Sequence, residues 1–102
     1  MEAQLTKDYV NAAIKAELEK AKKDWGPRYN TEHEAYAVLK EEVEEAAVDL
    51  KLILEDLDFL WEAVKGNSDK PYSAALRHIQ EIALALAIEA VQIAAVAKKA
   101  EL

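Results

Sequence analysis

Apolar residues recur at helical spacing along three stretches of this chain, and the breaks between the stretches fall at glycine and proline. From about Glu2 to Asp24, Leu5, Tyr9, Ala12, Ala13 and Ala16, with Val10 and Ile14 beside them, form a stripe among Lys and Glu residues, which predicts a first helix. Trp25-Gly26-Pro27 ends it, because Gly suits the position past a helix end and Pro cannot continue one. Asn30 or Thr31 is then placed to cap a second helix, and Glu32 and Glu34 fall in its first turn, where acids favour the dipole. This second helix runs without a breaker from about Glu32 to Lys65 and stops at Gly66-Asn67.

The apolar positions of the second helix are Tyr36, Leu39, Val43, Ala46, Leu50, Ile53, Leu57, Leu60 and Val64. Their steps alternate three and four, the signature of a heptad seam. A helix of that length spans roughly 50 Å, too long for one short neighbour to cover, so the seam is expected to pack against several helices, some from another chain. Leu39-Lys40-Glu41-Glu42-Val43-Glu44 is echoed fourteen residues later by Ile53-Leu54-Glu55-Asp56-Leu57-Asp58, and Lys51 by Lys65. Fourteen residues are two heptads, so a duplication and a plain heptad pattern both account for the echo. Gly66 to Ser73 reads as a polar loop with Asp69, Lys70 and Pro71. A third helix is expected from about Ser73 to Ala100. From Ile82 to Ala97 it is apolar nearly all round, which marks a core or a membrane helix. Sixteen residues with two polar interruptions fall short of the ~20 that span a bilayer, so this segment is expected to be the central core helix.

Composition agrees with an all-α fold of three helices: a long central hairpin plus an N-terminal helix, forming a helical bundle completed by oligomerisation. The 102 residues fit one domain, 1–102, and 52% of them are apolar, enough for a packed core. Only two Gly and two Pro are present, so the chain has few places to turn. A formal charge of −7 disfavours nucleic acid and anionic membranes as partners, yet suits a substrate that arrives with its own cations. Without cysteine there are no disulfides or thiolate metal sites. Met1-Glu2-Ala3-Gln4 lacks the basic and apolar regions of a secretory signal, so a cytoplasmic location is expected.

Two polar residues stand out in the apolar third helix. Glu89 and Gln92 are three apart and share a face. A buried carboxylate must find a cation, a hydrogen-bond donor or a metal ion, since leaving it alone costs several kcal/mol or neutralises it. A structural salt bridge or hydrogen bond is the plain explanation. The second helix offers another, because Glu41, Glu42, Glu44 and Glu45 cluster beside its seam. Glu42 and Glu45 are three apart and flank the seam, while Glu41 and Glu44 are better placed for solvent. Oxygen ligands from two helices suit Mg2+ or Mn2+.

At these residues the chain resembles the all-alpha nucleotide pyrophosphohydrolase superfamily, and in particular its short MazG-like members from phages and mobile elements. Glu41-Glu42-Val43-Glu44-Glu45 fits the Glu-Glu-x-x-Glu motif of that family, and Glu89-Ala90-Val91-Gln92 fits its Glu-x-x-Asp except at the last position. Lys23-Asp24-Trp25-Gly26, the run from His33 to Leu39, and Glu89 to Ala97 resemble further segments of the short members. Two departures matter: the motifs are unusually far apart, and Gln92 replaces an acid. The echo leaves a second register open, in which Glu55 and Asp58 form the first motif and Leu57 to Lys65 follows it.

The resemblance implies hydrolysis of a nucleoside triphosphate to the monophosphate and pyrophosphate, with Mg2+ (or Mn2+) as cofactor. Glu42, Glu45, Glu89 and Gln92 would hold the metal, and Glu41 would act as the general base that orients water. Lys98 and Lys51 would contact phosphates, with Lys99 and Arg77 as alternatives. Trp61 would stack on the base, with Trp25 and Tyr36 as alternatives. His33 and His78 have no partner at metal-ligand spacing. Self-association into a dimer or tetramer is expected, because Leu52, Phe59 and Trp61 lie off the main seam. The competing reading is a non-catalytic helical oligomerisation module with a degenerate metal site.

Overall fold

The structure, a computed structural model, describes residues 3–66 and 72–102. It is all-α, with three helices in sequence: α1 (Ala3–Trp25), α2 (Glu32–Lys65) and α3 (Tyr72–Ala100). The helix boundaries follow local chemistry. Gly26 takes a φ of 95° and donates its N–H to the Lys22 carbonyl at 3.0 Å, which closes α1 in a conformation that side chains with a Cβ resist. Thr31, not Asn30, caps α2: its Oγ1 accepts the Glu34 N–H at 3.0 Å. The Glu34 carboxylate also accepts the Asn30 N–H at 2.9 Å, so Glu34 ties the helix start to both residues before it. Gly66, with a φ of 80°, donates to the Ala63 carbonyl and ends α2. Of the polar loop expected between Gly66 and Ser73, residues 67–71, including Asp69, Lys70 and Pro71, lie outside the described residues.

The chain divides into two compact units, Met1–Val43 with Glu89–Leu102, and Glu44–Ile88. The first contains α1, the start of α2 and the end of α3. The second is a two-helix hairpin made from the rest of α2 and α3.

The packing seam of α2 differs from the expected one. Leu39, Ala46, Ile53 and Leu60 are half-buried as expected, but the column that joins them inside is Glu42, Asp49, Asp56 and Ala63. The other half of the expected seam, Tyr36, Val43, Leu50, Leu57 and Val64, is between 46% and 67% exposed. The helix is therefore turned by roughly 60° about its axis relative to the apolar seam. Each carboxylate drawn inward carries a cost that a partner must offset. In the hairpin, His78 Nδ1–H of α3 donates to Asp56 Oδ2, and Asp56 is the one buried residue of α2.

Helix α3, expected as the core helix, carries all the buried apolar side chains found among the described residues, yet leaves much of its apolar surface open. Ala75, Ile82 and Ala95 are its buried apolar residues, while Leu84 and Ile88 stay more than half exposed. An 18-residue window of α3 has a mean hydropathy of 1.7 with 11% of it buried, so by length and composition this helix is long and apolar enough to cross a membrane. The apolar surface on α2 and α3 is thus larger than one chain covers.

Candidate functional site

The first unit holds a cavity of about 560 Å³. Glu34, Val38 and Glu42 line it from α2 at steps of four, and Gln92, Ala95, Val96 and Lys99 line it from α3 at steps of three and one. Each helix therefore turns a single stripe toward it. Glu17, Ala21 and Trp25 complete the wall from α1, and Arg28, Tyr29 and Asn30 come from the connection that follows Gly26-Pro27. Three carboxylates, two cations, two aromatic rings and two amides thus border one space.

Lys99 is only 3% exposed, and its ammonium lies 4.4 Å from the centroid of the Tyr29 ring. The ring's negative face attracts that charge. The Tyr29 phenol is held above its ordinary pKa, first by burial and then by the negative charges of Glu34 and Glu42. All three causes disfavour a phenolate, so Tyr29 stays a neutral O–H donor within the site. The sign for stability follows: the unfolded chain ionises its tyrosine at about pH 10, and the folded chain resists. Stability from Tyr29 is complete below that pH and is lost as pH rises through the higher folded value. Phenolate absorbance of the native protein should show one of its four tyrosines titrating late. Tyr29→Phe should remove that late component, and an unchanged titration curve would contradict the assignment.

Among the residues expected from sequence, Glu42 and Gln92 line this cavity together. Glu89 lies one turn before Gln92 on the same face and is half-buried. One carboxylate oxygen of each acid, Glu42 Oε2 and Glu89 Oε2, is shielded from solvent. Glu41 and Glu45 are exposed and outside the lining, so neither the expected base nor that expected metal ligand stands at the cavity. Lys98 is exposed as well, and the lysine that enters is its neighbour Lys99. Lys51 and Trp61 are exposed in the second unit, where Trp61 lies under the ammonium of Lys65 at 5.4 Å. The cavity's aromatic residues are instead Trp25 and Tyr29. Glu55 and Asp58, the alternative first motif, both face solvent.

No group of three or more His, Asp or Glu side chains arranged to hold a metal occurs among the described residues. Glu42 and Gln92 bring one carboxylate and one neutral amide to the cavity, and Glu89 lies one turn before Gln92, outside the lining. Oxygen donors of this kind are the type that Mg2+ takes, alongside waters and substrate phosphates. Two inward acids escaped the sequence reading. Asp49 and Asp56 follow Glu42 at intervals of seven, and that spacing was visible. Asp56 is held by His78, whereas Asp49 Oδ2 is shielded with no hydrogen-bond partner among the described residues. Arg28 and Tyr29 carried no signal in the sequence, since their role comes from where the turn after Gly26 delivers them. Comparison with family models, curated proteins and solved structures finds no match to this chain.

Proposed function

We propose that this chain is a metal-dependent nucleoside triphosphate pyrophosphohydrolase, as its resemblance to the MazG-like proteins implies. The observation that carries the reading is the single cavity that joins Glu42 and Gln92 with Arg28, Lys99 and two aromatic rings. Glu42, Glu89 and Gln92 would hold Mg2+ or Mn2+ through two carboxylates and an amide oxygen. When bound, such an ion neutralises phosphate oxygens and lowers the pKa of the attacking water. Water attacks the α-phosphorus, its oxygen stays on the monophosphate, and the bond to the departing pyrophosphate breaks. Arg28 presents a planar fork of donors that fits phosphate oxygens in pairs, and Lys99 adds a point charge. Neutral Tyr29 donates a hydrogen bond, while Trp25 at the rim offers a flat apolar face to a base. A cytoplasmic location goes with such a substrate.

The test is pyrophosphate release from each ribo- and deoxyribonucleoside triphosphate with Mg2+ or Mn2+, alongside melting curves at rising metal concentration. Cleavage of at least one triphosphate and a metal-dependent rise in Tm are expected. Lys99→Ala should raise KM about 10- to 100-fold, the worth of a hydrogen bond to a charged group. If no triphosphate is cleaved and metal leaves the Tm unchanged, the enzyme reading fails. The oligomerisation module then gains, since the exposed apolar column of α2 favours it in either case.

A further inference from the structure

We infer that two copies of this chain associate antiparallel through the exposed face of α2 between Glu44 and Lys65. On that face Leu50, Leu54, Leu57, Trp61 and Val64 follow at steps of four and three, each between 51% and 59% exposed. This is a second complete heptad seam beside the one that α2 uses within its own chain. The described residues of the hairpin form two helices, α3 faces the inner seam through His78, and the outer seam stays more than half exposed. The five side chains offer roughly 500 Å² per copy, which brings a symmetric pair to the ~1,000 Å² that a specific interface requires.

Charge selects a second copy as the occupant. The polar column flanking the seam reads Glu44, Lys51, Asp58, Lys65, alternating in sign at every seventh residue. When an identical helix runs antiparallel, Leu50 meets Trp61 and Leu54 meets Leu57. Lys51 then faces Asp58, and Glu44 faces Lys65. The same patch on both partners is therefore self-complementary, as a two-fold interface demands. Lys65, which bonds Glu62 at 3.0 Å in its own chain, is exposed enough to reach across. A lipid surface fits less well, because helices that lie on membranes carry Lys and Arg on the polar face rather than Glu44 and Asp58.

Sedimentation equilibrium of the full chain without detergent tests the proposal, with circular dichroism to verify that each variant keeps its helices. The wild type should be dimeric at micromolar concentration. Leu57→Glu should raise the dimer Kd at least 100-fold, whereas Val48→Glu, on an exposed column away from the seam, should leave it unchanged. Lys51→Glu should weaken the dimer several-fold, and Lys51→Glu with Asp58→Lys should restore it. A wild type that stays monomeric at every concentration overturns the inference, as does a chain that instead partitions into lipid vesicles. Equal loss in Val48→Glu and Leu57→Glu, or no rescue by the charge exchange, overturns it as well.

Discussion

Glu42→Gln and Glu89→Gln are each expected to lower kcat/KM for a triphosphate by ~100-fold or more, because even an outer partner of a metal ligand is typically worth 10–100-fold in metal affinity. The amide keeps the shape of the side chain and one oxygen, but removes the charge that attracts a divalent cation. Both acids have an oxygen shielded from solvent, and Gln keeps the shape and an acceptor oxygen, so the variants are expected to fold. Melting curves without metal check that each variant keeps its fold. The rise in Tm with Mg2+ should vanish in both, where the wild type gains about 2.7 kcal/mol at a metal concentration of 100 times Kd. Glu41→Gln and Glu45→Gln, whose side chains are exposed outside the cavity, should stay within a few-fold of wild-type turnover. Wild-type rates in Glu42→Gln and Glu89→Gln would remove both acids from the reaction. Loss of the fold in both would make them structural groups.

The second large effect concerns stability and arises in the hairpin. His78→Ala should destabilise the protein by about 1–3 kcal/mol, the cost of leaving a buried acceptor without its donor. For a chain of this size that lowers Tm by roughly 5–20 °C. Asp56 is 9% exposed, and His78 of α3 is the hydrogen-bond partner that the structure gives it. Asp56→Leu should behave differently. It removes acceptor and charge together and puts an apolar side chain into the same inward column, so stability is expected to hold or rise. Thermal melts of the two variants check this directly. A His78→Ala variant that melts with the wild type would show that the contact contributes nothing. A large loss in Asp56→Leu would show that the carboxylate has a further structural duty. Neither residue lines the cavity, so turnover per folded molecule should be the same in both.

Much of this protein was legible in its residues. The helices and their ends follow from rules that act within a few positions: Gly26 and Gly66 both take the positive φ that few other residues tolerate, and Thr31 with Glu34 closes the start of α2. The half-buried state of Glu89 was also legible, since an acid in an apolar helix has few other places to go. The face that α2 turns inward was not. Two heptad seams share the column Leu39, Ala46, Ile53 and Leu60, and the more apolar of the two, with Val43, Leu50 and Leu57, is the natural choice from sequence.

The chain instead packs the seam that carries Glu42, Asp49 and Asp56, because α3 supplies His78 to one of these acids and the cavity of the first unit receives another. The same rotation leaves Glu41 and Glu45 outside and exposes the apolar column. The composition of that unusual neighbourhood, with Lys99 against Tyr29 and with Arg28 and Glu42 bordering one cavity, depends on residues far apart in the chain. Local propensity acts over one or two turns, so the sequence by itself determined three helices, their ends and a polar demand at Glu89. Which acids meet that demand, and which apolar face is left for a partner, was decided only when α1, α2 and α3 packed, since burial is a property of neighbours and not of spacing.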